Sequence, residues 1–81
     1  MNCGGCMVLS EIKERYEKNN EVKFKLFSLE YIIQNVDNNV LVYPILYSNR
    51  KNTYSSLEEA LNYYHVYNES IIENLDRLIL L

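Results

Sequence analysis

The sequence predicts a small α/β domain in which helices flank a short sheet, and we expect residues 1–81 to form one domain. Apolar residues recur at helical spacing near both ends, a segment starting at position 21 alternates charged and apolar residues, and Asn-rich breaks separate these stretches. The apolar fraction of 48% and the charged fraction of 23% are typical of globular proteins. The expected element order is helix, strand, helix, strand, strand, helix, helix.

The first two elements follow directly from their periodicity. Val8, Ile12 and Tyr16 fall on one helical stripe, which predicts a helix that ends near the Asn19-Asn20 break. Residues 22–27 alternate with period two and therefore predict a strand with one apolar face. The apolar members of that alternation are Val22, Phe24 and Leu26.

The segment 28–37 is compatible with either a helix or a strand. Its apolar residues stand at helical spacing, with Ser28 as the N-cap and Phe27 packing against Ile32 as a hydrophobic staple. As a strand, its two faces would both be mixed. We expect a helix. The apolar residues at this spacing are Leu29, Ile32, Ile33 and Val36.

Residues 40–47 are apolar throughout, which predicts a strand that is buried on both faces. Pro44 interrupts this strand because a proline removes one hydrogen-bond donor from the ladder. The strand therefore begins at Pro44, or the backbone at this edge does not pair. A short strand is expected at Thr53-Tyr54 after the polar turn that ends at Asn52.

Two helices are expected in the C-terminal part. Ser55 or Ser56, with Glu58 or Glu59 three residues on, gives the pattern of a capping box. A second helix is predicted from Glu69, with its apolar residues on one side and a Glu73–Arg77 pair on the other. These apolar residues are Ile71, Ile72, Leu75, Leu78 and Ile79.

The two cysteines of the chain, Cys3 and Cys6, form a CxxC pair just before the first helix. A helix N-terminus lowers a thiol's pKa, so Cys3 could attack a disulfide and Cys6 could resolve the product. The pair could equally lie in an inert tail, or supply half of a zinc site completed by His65 or a second copy of the chain. A structural zinc needs four ligands, so we expect neither a metal nor a cofactor.

This pattern resembles the thioredoxin/glutaredoxin family over roughly residues 3–66. The resemblance implies that Cys3-Gly4-Gly5-Cys6 is the dithiol and that residues 43–45 are the cis-proline segment, with Tyr43 and Pro44 as substrate-binding residues. It also implies that the segments 45–48 and 52–55 form an antiparallel pair before the helix from Ser56. The chain departs from the family in lacking the first strand, since two residues precede Cys3, and in having Tyr54-Ser55 where glutaredoxins carry Gly-Gly.

Two functions therefore remain open, and whether the protein is an enzyme is uncertain. The first is a small thiol-disulfide oxidoreductase-like protein acting on protein thiols through Cys3 and Cys6. The alternative is a non-enzymatic module, such as a virus- or plasmid-encoded inhibitor or adaptor, that binds a protein partner through its tyrosines and C-terminal helix. The candidate tyrosines are Tyr47, Tyr54, Tyr63, Tyr64 and Tyr67. The apolar ending, residues 78–81, either docks on the domain or supports a homodimer.

Charge and hydropathy narrow the partners and the compartment. The net charge of −3 and the absence of a basic stripe argue against nucleic acid. No apolar run approaches the roughly 18–20 residues that a membrane helix needs, and no signal peptide pattern is present. We expect a cytoplasmic protein that does not bind membranes. The abundance of Asn, Lys, Ile and Tyr suggests an AT-rich genome, such as that of a virus or mobile element.

Overall fold

The computed structural model describes the backbone of residues 4–81 and the side chains from residue 7 onward. In this part of the chain, helix α1 precedes a three-stranded meander, and helix α2 lies between a short strand and a small hairpin. The elements are α1 (Gly4–Asn19), β1 (Glu21–Leu26), β2 (Leu29–Val36), β3 (Asn39–Pro44), β4 (Asn52–Tyr54), α2 (Leu57–Tyr63), β5 (His65–Val66), β6 (Glu69–Ser70) and β7 (Ile79–Leu80). Two 3-10 helices lie at Ile45–Tyr47 and Ile72–Asn74.

The strands form an antiparallel five-stranded sheet in the order β4-β3-β2-β1-β7, and β5 pairs with β6 separately. The predicted combination of helices with a small sheet is confirmed, and because the sheet is antiparallel the class is α+β. The first helix, the strand over residues 22–27, the short strand at Thr53-Tyr54 and the helix after Ser56 are also present. Ser56 caps α2, since its Oγ accepts from the backbone N–H of Glu59 at 3.1 Å.

The helix predicted over residues 28–37 is wrong, because this segment is strand β2. Its register against β1 pairs Leu26 with Leu29 and Phe24 with Tyr31, so a two-residue turn joins the strands where a helix N-cap was expected. The spacing of apolar residues matched that of a helix because β2 carries apolar side chains on both of its faces. Ile33 faces the core, whereas Ile32, on the opposite face, is also buried.

Three two-residue turns depend on left-handed backbone at residues other than glycine. In each turn both central residues have positive φ, the geometry of a type I′ turn, whose twist matches that of the paired strands. The pairs are Phe27 and Ser28 (52° and 72°), Asp37 and Asn38 (52° and 66°), and Tyr67 and Asn68 (54° and 69°). Asn and Asp tolerate this conformation, whereas the bulky aromatic residues Phe27 and Tyr67 adopt it at a cost.

The C-terminal helix predicted from Glu69 is also wrong, since only the 3-10 helix Ile72–Asn74 forms there, followed by β7. The physical reason is Asn74, which is fully buried and donates from its side-chain amide to the carbonyl of Ser70 at 2.9 Å. Its Oδ1 accepts from Arg77 at 3.0 Å. These bonds close a compact turn from which the chain reaches the sheet edge beside β1.

All packed elements lie on one face of the sheet. The core includes Ile12 of α1, Leu61 of α2 and the inward residues Phe24, Ile33 and Val42 of the central strands. The other face carries polar and partly exposed side chains, among which Ile32 is buried. Neither of the two α-helices in this part of the chain combines the length and the apolar character that crossing a membrane requires.

Replacing Asn38 by glycine tests the turn assignment. Because Asn38 sits at φ 66°, where glycine has no side-chain penalty, we expect Asn38→Gly to stabilise the fold by about 0.5 kcal/mol. Urea unfolding followed by circular dichroism measures the change. The control is Asn39→Gly at the first residue of β3, which should lower the urea midpoint. A midpoint lowered equally by both substitutions contradicts the assignment.

Candidate functional site

Within the described residues, a pocket of about 320 Å³ lies between the end of β3, the loop that follows it and the β5–β6 hairpin. We call it the tyrosine pocket. Pockets of this size that mix apolar walls with a few polar groups are typical ligand sites. Its ten lining residues are Leu29, Tyr31, Pro44, Tyr47, Arg50, Asn52, Tyr64, His65, Val66 and Tyr67.

The inner wall consists of two buried tyrosines that belong to the core. The Tyr31 ring stacks on Phe24 with centroids 5.4 Å apart and an interplanar angle of 15°. Tyr64, which ends α2, meets Tyr31 edge-on at 6.1 Å and 75°. Tyr31 is 5% exposed and Tyr64 is 8% exposed. The core packing therefore fixes the position of both phenol rings.

One side of the rim is an aromatic contact between two hairpin tips. Phe27, in the β1–β2 turn, and Tyr67, in the β5–β6 turn, meet edge-to-face with their ring centroids 5.4 Å apart. Tyr67 is 75% exposed, and both residues have positive φ. Strained residues of this kind concentrate at ligand sites, where the surrounding structure holds them in place.

The opposite side of the rim is formed by Tyr47 and Arg50. The backbone N–H of Arg50 donates to the carbonyl of Tyr47 at 2.9 Å, and the guanidinium carbon lies 5.3 Å from the centroid of the Tyr47 ring. This cation–π contact orients a planar set of N–H donors. Among the described residues Arg15 and Arg77 form ion pairs with Glu11 and Glu69, whereas Arg50 forms none.

Burial raises the pKa of both inner tyrosines. The pKa of Tyr64 is raised to about 12, chiefly by desolvation and further by the nearby Tyr31 and Tyr54, while the positive charge of Arg50 lowers it in part. Burial, and then the proximity of Tyr67, raises the pKa of Tyr31. Both phenols therefore remain protonated hydrogen-bond donors at neutral pH.

His65 lies on the exposed rim, with Nδ1 2.8 Å from the carbonyl oxygen of Tyr63. Its neighbour Glu73 has a lowered pKa because the backbone N–H and the hydroxyl of Ser70 both donate to its carboxylate, and His65 lowers this pKa further. Among the described side chains, no three His, Cys, Asp or Glu residues come together as metal ligands. The imidazole of His65 is thus already engaged locally.

The structure describes the candidate site residues from the sequence only in part. Cys3 lies outside the described residues; Cys6 is the third residue of α1, and its side chain is also outside them. Pro44 is buried in the wall of the tyrosine pocket and is the last residue of β3, opposite Tyr31, where either a strand start or an unpaired edge was predicted.

The cis-proline that the resemblance implied is wrong, because the described residues contain no cis peptide bond. Pro44 itself has extended backbone geometry, with φ −70° and ψ 135°. Tyr43 points to the opposite face of the sheet, where its hydroxyl donates to Gln34 Oε1 at 3.1 Å and Lys51 Nζ lies 5.4 Å from its ring centroid. Strand alternation separates these two neighbours, so they do not share a binding site.

Part of the site could be found from the sequence and part could not. The tyrosine cluster supplies three lining residues, Tyr47, Tyr64 and Tyr67, whereas Tyr54 and Tyr63 do not line the pocket. Tyr31 was missed because it was placed in a helix. The sequence did not predict Arg50 as a site residue, since the loop after β3 brings it to the pocket only in the folded structure.

A second cleft, of about 310 Å³, lies between α1 and β7 and is lined by Met7, Val8, Glu11, Arg15 and Leu80. The guanidinium of Arg15 in this cleft already makes two hydrogen bonds. Its Nε donates to Glu11 at 3.0 Å, and its Nη1 donates to the carbonyl oxygen of Leu81 at 2.6 Å. The tyrosine pocket is therefore the better candidate for ligand binding.

Comparisons with protein-family models, with curated proteins and with solved structures find no match to this chain. The thioredoxin/glutaredoxin resemblance consequently stays a prediction from the sequence. The tyrosine pocket is therefore inferred to be a site from its geometry and lining residues.

The raised pKa of Tyr64 predicts a specific alkaline instability. Below pH 10 the Tyr64 phenol is neutral in both the folded and the unfolded state, so its ionisation does not reduce the free energy of unfolding there. Between pH 10 and about 12 the unfolded phenol ionises while the folded one does not, and the free energy of unfolding falls. In Tyr64→Phe we expect this fall to be smaller, as measured by urea unfolding at pH 8, 10.5 and 11.5.

The matched control is Tyr63→Phe. Tyr63 is 65% exposed and outside the pocket, so removing its hydroxyl should leave the alkaline fall unchanged. An equal alkaline fall in Tyr64→Phe and in the unmodified protein would contradict the burial of the Tyr64 hydroxyl.

Proposed function

We propose that this protein is a small non-enzymatic binding module that receives one side chain of a partner protein in the tyrosine pocket. The observation that carries the proposal is the convergence of four tyrosines and an arginine on one cavity. Tyrosine and arginine are enriched among the residues that dominate binding energies at protein interfaces.

The arrangement of rigid and exposed groups fits such an interface. Tyr31 and Tyr64 are held by the core, whereas Tyr47 and Tyr67 stand exposed on the two sides of the opening. A partner side chain that enters the pocket would therefore bury the exposed rings without reordering the inner wall. Binding to such a preformed site costs less conformational entropy than binding that must first order its residues.

The pocket lacks the features of a catalytic centre. Its titratable residues are phenols, Arg50 and His65, and no carboxylate lines it to act with His65 as an acid–base pair. Its chemistry is that of hydrogen bonding and aromatic contact, which favours recognition over catalysis.

Selection from a phage-displayed random peptide library, followed by binding measurements in solution, tests this proposal. We expect selected peptides to bind the unmodified protein and to lose at least ten-fold in affinity for Tyr67→Ala and for Arg50→Ala. Both residues are on the rim, so these substitutions leave the core intact. Amide chemical shift changes should centre on the residues that line the pocket.

Tyr63→Ala serves as the control, because it removes an exposed tyrosine that lies outside the pocket. Selected peptides should bind this variant as they bind the unmodified protein. Equal loss of binding in Tyr63→Ala and Tyr67→Ala, or shift changes away from the pocket, would overturn the proposal.

The second candidate is thiol–disulfide exchange by Cys3 and Cys6 in the cytoplasm, on protein thiols. Its support is the CxxC spacing toward the N-terminal end of α1, in whose described range Gly4–Asn19 the third residue is Cys6. The unpaired N–H groups and the dipole at such a position stabilise a thiolate. A reducing compartment keeps a CxxC pair available as dithiol.

Alkylation by iodoacetamide as a function of pH tests this candidate, using Cys3→Ser and Cys6→Ser to separate the two thiols. The redox function requires that at least one thiol reacts with an apparent pKa well below the value of about 8.5 for free cysteine. Two thiols that titrate like free cysteine would rule it out. A double Cys→Ser variant that still binds the selected peptides would show that recognition is independent of the thiols.

A further inference from the structure

We infer that the group received by the tyrosine pocket is a carboxylate, supplied by a glutamate or aspartate side chain of the partner and bound by Arg50 and the hydroxyls of Tyr31 and Tyr64. This inference rests on the proposed function and adds the chemistry of the partner. Arg50 and the two phenols together offer positive charge and hydrogen-bond donors without a competing carboxylate.

The first argument comes from the two inner phenols. Both side chains are more than nine-tenths buried, both line the pocket, and neither hydroxyl makes a hydrogen bond within the described residues. No unpartnered polar atom in this part of the chain is completely sealed from solvent, so these hydroxyls open into the pocket. A bound acceptor could therefore receive hydrogen bonds from both hydroxyls, whose rings the core already holds in place.

The second argument is the position of the positive charge of Arg50 relative to the inner wall. Its guanidinium lies over the Tyr47 ring, and its positive charge favours the ionised form of the Tyr64 phenol, so the charge acts on the inner wall of the pocket. No carboxylate of the described residues pairs with Arg50. A carboxylate that accepts from guanidinium and phenol together gains charge-assisted hydrogen bonds, which are stronger than neutral ones.

The third argument is the contrast between the pocket and the rest of the chain. The sequence has a net charge of −3, with 11 acidic and 8 basic residues, yet none of the ten lining residues is acidic. Glu73, the carboxylate that interacts with His65, is engaged by Ser70. The lining thus carries the positive charge of Arg50 and no negative charge, which favours an anionic side chain over a cationic one.

The walls suit the stem of such a side chain as well. Leu29, Pro44 and Val66 supply aliphatic surface beside the phenol rings. A glutamate could place its methylene groups against these residues while its carboxylate reaches the donors. The combination of apolar wall and fixed polar donors sets the orientation of the bound group.

The test uses three peptides that differ in one side chain: acetyl-Ala-Glu-Ala-amide, its glutamine counterpart and its phosphoserine counterpart. Each is titrated into 15N-labelled protein in 0.1 M NaCl at pH 7, and affinities come from the shifts of the pocket amides. We expect the glutamate peptide to bind at least five-fold more tightly than the glutamine peptide, which has nearly the same shape without the charge.

Single substitutions then assign the donors. In Arg50→Gln and in Tyr64→Phe the preference for glutamate over glutamine should fall below two-fold, while Arg77→Gln and Tyr63→Phe, outside the pocket, should retain it. Tyr64→Phe keeps the ring, so its circular dichroism spectrum should match that of the unmodified protein.

Equal affinity for the glutamate and glutamine peptides would overturn the carboxylate inference and leave the binding module intact, because a side chain would still occupy the pocket. A phosphoserine peptide that binds more than ten-fold better than the glutamate peptide would overturn it in favour of a phosphorylated partner. Failure of all three peptides to shift the pocket amides would also overturn it, and the library selection decides separately whether the proposed function survives.

Discussion

The register of β1 against β2 is the constraint on which the rest of this structure depends. The Phe27-Ser28 turn sets Phe24 opposite Tyr31, and the next turn sets Tyr31 opposite Pro44. Because side chains alternate across a strand, a slip of one residue would send Tyr31 to the opposite face of the sheet and remove the inner wall of the pocket. This register places the Tyr31 ring where it stacks on Phe24 and contacts Tyr64 edge-on. Because Tyr64 directly follows α2, the same register also positions α2 against the sheet.

The pocket also contains a positive charge without a carboxylate in its lining, although the protein has a net charge of −3. Two carboxylates of the C-terminal half are hydrogen-bonded locally: Glu73 accepts from Ser70, and Glu59 accepts from the backbone of Ser55 at 2.9 Å beside the start of α2. No carboxylate of the described residues pairs with Arg50. The arginine is supported instead by an aromatic ring, which holds the guanidinium without neutralising it.

The sequence predicted the parts of the fold in which one signal dominates. The alternation of Val22, Phe24 and Leu26 and the capping pattern at Ser56 both lead to the observed elements. The sequence failed at residues 28–37, where apolar side chains on both faces of β2 imitate a helical stripe, and at the C-terminal segment, where the buried amide of Asn74 replaces helical bonds. Three tyrosines of the pocket were recognisable as a cluster, but Arg50 joins them only through tertiary structure. For Cys3 and Cys6 the CxxC spacing remains the basis of the prediction.

The β5–β6 hairpin has a consequence for how one wall of the pocket is held. It contributes His65, Val66 and Tyr67 to the site, yet its ladder pairs only two residues on each strand. Ladders this short open locally more often than long ones, and the Phe27–Tyr67 contact joins this hairpin tip to the stable meander. Few ladder bonds and that aromatic contact therefore hold this wall of the pocket, whereas β1–β3 are held by longer ladders. A ligand that bridges Arg50 and Tyr64 would bind residues outside this hairpin, so its affinity would depend less on the hairpin than on α2 and the loop after β3.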